Sequence, residues 1–154
     1  MKCLTIMEPF GTLIAIGEKK IETRSWRTKY RGKMAIHTSK NINKYSKNRC
    51  LEKEFMDLLK DKYIKIEEHK RVKYNFNFGS IIAVGELIDC VKMKEKHDNY
   101  ALLDNGVRVE GNEFIFGDYR PGRYAWIFEN VQLLDKPIPT KGQLRLWNYD
   151  ITKD

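Results

Sequence analysis

Residues 79–93, GSIIAVGELIDCVKM, form a continuous apolar and β-branched run bounded by turn-forming residues, and they read as the strongest strand of the chain. Gly85 in its middle marks a bulge. Towards the C-terminus, GDYRPG (117–122) is a dense turn signal, and RYAWIFENVQLL (123–134) is a second long strand. DKPIPTKGQLRLW (135–147), with two Pro and a Gly, reads as an extended edge segment that closes the fold. Towards the N-terminus lie the strand CLTIM (3–7) and a short helix in EPFGTLIAIGEK (8–19). Pro9 sits in the first turn of that helix and Gly17 at its stop. The strands KKIETRSW (19–26) and KMAIHTS (33–39) follow, joined by the polar RTKYRG. From Ser46 the period changes, and Leu51, Phe55, Leu58 and Leu59 predict one face of an amphipathic helix. The charged stretch 65–78 reads as a loop, and 94–105 as a short helix.

Five or six strands with two or three helices, without βαβ alternation and without a linker, predict one α+β domain over residues 1–154. Its centre is expected to be a curved mixed sheet or small barrel. The chain is 42% hydrophobic and 32% charged, which gives core material and solubility together. Cys3, Cys50 and Cys90 are too scattered for zinc or a disulfide framework, and read as reduced buried thiols. Glu8 and Pro9 interrupt any apolar leader, and no run approaches the ~20 residues of a membrane helix, so a cytoplasmic protein is expected. Neither a metal nor a cofactor is expected, since His69 and His97 lack partners at ligand spacing. His37, in an apolar strand, reads as a packed residue.

The net charge of +8 is unevenly spread. Residues 1–50 hold twelve Lys/Arg and three Asp/Glu, so the whole excess lies in the first third. Such asymmetry attracts polyanions, because neutralised phosphates release counterions. In a strand, Lys20, Glu22, Arg24 and Trp26 alternate onto one face, while Lys19 lies at the turn and could still reach a cleft. Arg24 can hold a phosphate through paired hydrogen bonds, with Glu22 fixing its guanidinium. Trp26 or Tyr30 can stack a base, and Arg31 beside Gly32 can meet a phosphate. The bland reading of the same residues is a cross-strand ladder of solvated ion pairs. Glu86 and Asp89 lie in an apolar strand, where a charge demands a partner, for which a Lys or Arg of the first basic strand is the natural choice. Such a pair can act as acid and base or as a brace between strands. Trp126 reads as core and Trp147 as a seal.

Four pieces in order resemble the ASCH domain, a relative of PUA-like folds: MEPFGTLIAIGEKKIETRSW, YRGKMAIH, GSIIAVGELIDC and PGRYAWIFENVQLLDKPIPTKGQLRLW. The resemblance covers nearly the whole chain apart from 62–78 and 94–113. It implies a PUA-like β-barrel with helices at its sides and a cleft lined by Lys19, Lys20, Glu22, Thr23 and Arg24. Members of the family are nucleic-acid binders, amidohydrolases acting on an acetylated cytidine, or ribonucleases. The resemblance therefore implies RNA, another single-stranded nucleic acid or a nucleoside-type ligand as partner. For an enzyme, Lys19, Glu22 and Glu86 are the catalytic candidates. Lys19 matches the Lys of the acetylcytidine-cleaving members, but the Thr three residues on is Glu22 here, with Thr23 adjacent.

Overall fold

A computed structural model describes residues 1–151. It is an α+β structure centred on a large, mostly antiparallel sheet. The elements run β1 (Lys2–Ile6), α1 (Phe10–Ala15), β2 (Ile21–Arg24), β3 (Gly32–Thr38), α2 (Lys44–Cys50), α3 (Lys53–Leu59), β4 (Ile64–Ile66) and β5 (Val72–Tyr74). They continue with β6 (Ser80–Lys96), β7 (Tyr100–Leu103), β8 (Arg108–Glu110), α4 (Gly111–Ile115), β9 (Tyr124–Pro139) and β10 (Leu146–Asn148). Strand β6 is the spine. It pairs β3 along one edge, β9 along the other and β7 at its far end. β1 lies parallel to β3 and antiparallel to β10, and β2 pairs β9.

The sheet is not closed into a barrel. Its two ends, β2 and the β1–β10 edge, are joined by side chains and not by a backbone ladder among the described residues. Arg24 Nη2 donates to Thr5 O at 2.6 Å, and the Arg145 guanidinium lies 5.0 Å over the Trp26 ring.

The ladder to β9 is irregular at Gly85 as expected, but between Val84↔Gln132 and Glu86↔Glu129 the extra residue belongs to β9, where Asn130 takes φ +51, and Gly85 is the residue opposite it. A Cβ at Gly85 would meet Val131 Cγ2 at 2.6 Å and Glu129 O at 3.3 Å, so backbone and side chain of β9 close over it. Gly85→Val is expected to cost about 1–3 kcal/mol through overpacking. An unaltered thermal midpoint would show that β9 yields freely there.

Three expectations need correction. The stretch 65–78 is not a plain loop, since β4 and β5 make a hairpin that turns through positive φ at His69 and Lys70. Three-residue strands are too short to show a period of two. Residues 94–105 contain no helix: buried Ala101 and Leu103 alternate along β7, and Gly106 at φ +83 turns the chain into β8. The helix beyond Ser46 is broken into α2 and α3, leaving Leu51 exposed while Cys50 takes the buried place. Asn43 caps α2 by accepting from Ser46 N at 2.8 Å. The α-helices thus number four among the described residues, not two or three.

The central core joins Leu4, Ile6, Met34, Ile36, Ala83, Leu87, Trp126 and Phe128. A second cluster under α2, α3 and the β4–β5 hairpin holds Phe55, Leu59, Ile64 and Phe116. Trp147 is buried against His37, Cys3 and Ala35, which makes it the seal. All three cysteines are free and buried.

Candidate nucleic-acid interface

A cleft of about 840 Å³ opens where β1 ends, between α1, β2, α2 and the turn after α4. Its floor is apolar, formed by Ile6, Met7, Phe10 and Phe116. Around that floor stand four cations, Arg24, Arg49, Lys96 and Arg120, against two carboxylates, Glu22 and Asp118. β2 supplies Glu22 and Arg24 because residues two apart share a face. Helix α2 supplies Tyr45 and Arg49, one turn apart, and the 116–120 turn supplies Asp118 and Arg120.

Each guanidinium is held. Arg24 donates from Nε to Glu22 Oε2 at 3.1 Å and from Nη2 to Thr5 O. Arg49 pairs with Glu52 at 2.8 Å, donates from Nη1 to Tyr45 Oη at 2.9 Å and from Nη2 to Ile115 O at 2.6 Å. Arg120 grips Asp118 through both Nε and Nη2, and that hydrogen bonding holds Asp118 below its ordinary pKa. Planar cations fixed by neighbours lose little freedom on meeting a ligand. Tyr45 stands at the lip with 62% of its surface exposed. Thr23 lines the wall, its Oγ1 accepting from Asp118 N at 3.1 Å.

Lys19 is not on this surface. It is 1% exposed, donates from Nζ to Ile21 O and lies 3.9 Å from Glu113 Oε2. Burial lowers its pKa, while Glu22 and Glu113 act in the opposite direction.

Residues 4–137 match the family described as the ASCH domain. The chain belongs to the ASCH domain family. Activating signal cointegrator 1 of Homo sapiens and that of Mus musculus are each 23% identical to it over 148 residues. Each alignment covers 96% of this chain and 22% of the relative, so the chain spans about a fifth of those proteins.

Within this ASCH domain, the expected site residues divide into three groups. Glu22, Thr23 and Arg24 meet in the cleft. Lys19 lies beneath it, and Lys20 is exposed, with its backbone N–H donating to Glu113 Oε1 at 2.7 Å. The others stand elsewhere. Trp26 packs edge-on against Trp126 at 4.7 Å, at the rim of the core, with Arg145 over its ring. Tyr30 donates from Oη to Lys33 O, Arg31 binds Thr28 O and faces Asp89 at 3.5 Å, and Gly32 takes φ +127. Arg31 is thus the partner of Asp89. Glu86 is exposed, without a buried partner, and lines a separate recess with Lys33. Lys19, Glu22 and Glu86 do not converge.

Sequence reasoning missed Phe10, Tyr45, Arg49, Lys96, Phe116, Asp118 and Arg120. The i, i+4 spacing of Tyr45 and Arg49 and the charged pair inside GDYRPG were the available signals. Among the described residues no group of three His, Cys, Asp or Glu is placed to hold a metal ion. No described helix is long and apolar enough to cross a membrane.

Proposed function

We propose that this ASCH domain binds single-stranded nucleic acid, RNA foremost, and seats one unpaired nucleotide in the cleft. The observation that carries the reading is the set of three pre-oriented guanidiniums, Arg24, Arg49 and Arg120, around an apolar floor with an exposed Tyr45 at its lip. A phosphate meets Arg24 or Arg120, while the base lies over Phe10 and against Tyr45. Stacking of this kind is worth ~1–3 kcal/mol per base. The apolar floor and the carboxylate Glu22 give such a site a base-sized, polar-edged recess as well as charge.

Catalysis on an acetylated cytidine or on an RNA phosphodiester has less support. Lys19 is enclosed, Thr23 Oγ1 is engaged by Asp118 N, and Glu86 lines another recess.

Fluorescence anisotropy with a labelled single-stranded RNA tests the proposal. Arg24→Ala should make the dependence of log K on log salt shallower by about 0.7, the value of neutralising one phosphate on a single strand. Tyr45→Ala should weaken binding about 10-fold or more. Failure of the parent chain to bind at low salt would overturn the reading.

A further inference from the structure

Beside the cleft lies a second groove of about 800 Å³, between the end of β3 and the strap 140–144 that leads into β10. The two depressions share Thr5 and Ser39 in their linings and so lie side by side. The strap is anchored rather than draped. Thr140 N donates to Gly79 O at 3.0 Å, and Thr140 O accepts from His37 Nε2 at 2.7 Å. Gly142 is pressed onto this base: a Cβ there would stand 2.7 Å from His37 Cε1 and 2.8 Å from Thr5 Oγ1.

Burial lowers the pKa of His37 in the floor, which favours its neutral ring. His37 Nε2 must carry the proton because it faces a carbonyl oxygen. Trp147 Nε1 donates to Thr5 Oγ1 at 3.2 Å, which leaves the hydroxyl hydrogen for His37 Nδ1 at 3.0 Å. Charge enters only at the rim, where Lys40 and Lys141 are exposed, and no carboxylate lines the groove among the described residues. An 800 Å³ recess with a rigid neutral floor, two cations and the amide of Gln143 suits an anionic ligand with a flat polar part.

Resting on the binding reading above, we infer that this groove seats the nucleotide next to the one in the cleft, so that the domain engages at least two consecutive nucleotides of one strand. Lys40 and Lys141 hold phosphate there, and the Gln143 amide faces the base edge. Thr5 and Ser39 form the saddle over which the strand passes. Lysine suits this role as a flexible point charge, in contrast to the fixed guanidiniums of the cleft.

The test compares the parent chain with Lys40→Ala/Lys141→Ala, using fluorescein-labelled hexauridylate for direct binding and uridine 5′-monophosphate as competitor. Both lysines are exposed, so the variant should keep its fold, which circular dichroism checks. Hexauridylate should bind the variant about 10-fold more weakly, with a salt slope shallower by about 0.7 for each phosphate no longer neutralised. The monophosphate should compete equally well for both proteins. Unchanged hexauridylate binding would overturn the inference and leave the cleft reading standing. A parallel weakening for the monophosphate would also overturn it, by showing that the lysines act on the cleft itself. If the parent chain binds neither ligand, the cleft reading fails and the inference falls with it.

Discussion

Lys19→Ala should remove much of the protein's margin of stability. Truncating a fully buried long side chain leaves a cavity and strips its partners of a donor, at a cost of about 2–5 kcal/mol. Here the space of the Lys19 stem would be emptied, Ile21 O would lose its donor and Glu113 its cation at 3.9 Å, while Glu22 keeps Arg24 at 2.9 Å. For a chain of 154 residues the thermal midpoint should fall by roughly 10 °C. Lys19→Met keeps most of the stem's volume and removes only the ammonium, so it should fall between the alanine variant and the parent. Because burial lowers the pKa of Lys19, the unfolded chain keeps that proton to higher pH than the folded one. This group's contribution to stability therefore rises as pH climbs towards the ordinary lysine range and is smaller at neutral pH. A Lys19→Ala protein with the parent's midpoint but no affinity for RNA would reverse the assignment and make Lys19 a ligand group.

The contrast between Lys19 and Arg49 shows where the sequence is legible. Strand β6, the first part of β9 up to Leu134 and the helix at Phe10 are local, and period, length and turn residues suffice to place them, whereas residues 135–139, expected in a separate edge segment, continue β9 and pair the central β6. So is the Glu22–Arg24 pair, because two residues apart on a strand must share a face. Lys19 differs, since a cation is expected in water unless a distant partner encloses it. Glu113, which does so, comes from a helix 94 residues later. Arg49 and Tyr45 point into the cleft only because α2 is laid across the mouth of β1. The helical pattern at 51–59 reports the core-facing side alone. Arg120 was visible as part of a turn, but its aim depends on where α4 delivers that turn. Closure of the barrel failed for a related reason. Strand patterns give faces and not circumference, and here Arg24 and Arg145 complete the circuit that a backbone ladder does not.

Glu8→Gln should stabilise the protein above neutral pH and leave it nearly unchanged in acid. Glu8 is fully buried beneath α1, where Thr12 N donates to its Oε1 at 2.7 Å and Thr12 Oγ1 donates to its Oε2. Those hydrogen bonds favour the ionised carboxylate, but burial outweighs them and pushes the pKa from 4.5 up to about 7. Between those two values the folded chain holds a proton that the unfolded chain has released. Stability therefore falls as pH rises from 4.5 to about 7, and is level above that. The loss amounts to about 3 kcal/mol. A Gln keeps the same shape and stays neutral: its carbonyl oxygen can accept from Thr12 N while its amide donates to the Thr12 hydroxyl. Denaturant unfolding of both proteins at about pH 5 and about pH 8 should give similar midpoints in acid, with the variant ahead by about 2–3 kcal/mol at the higher pH. A variant destabilised equally at both would mean that the carboxylate is held ionised, its charge contributing to the anchoring of α1 instead of opposing it.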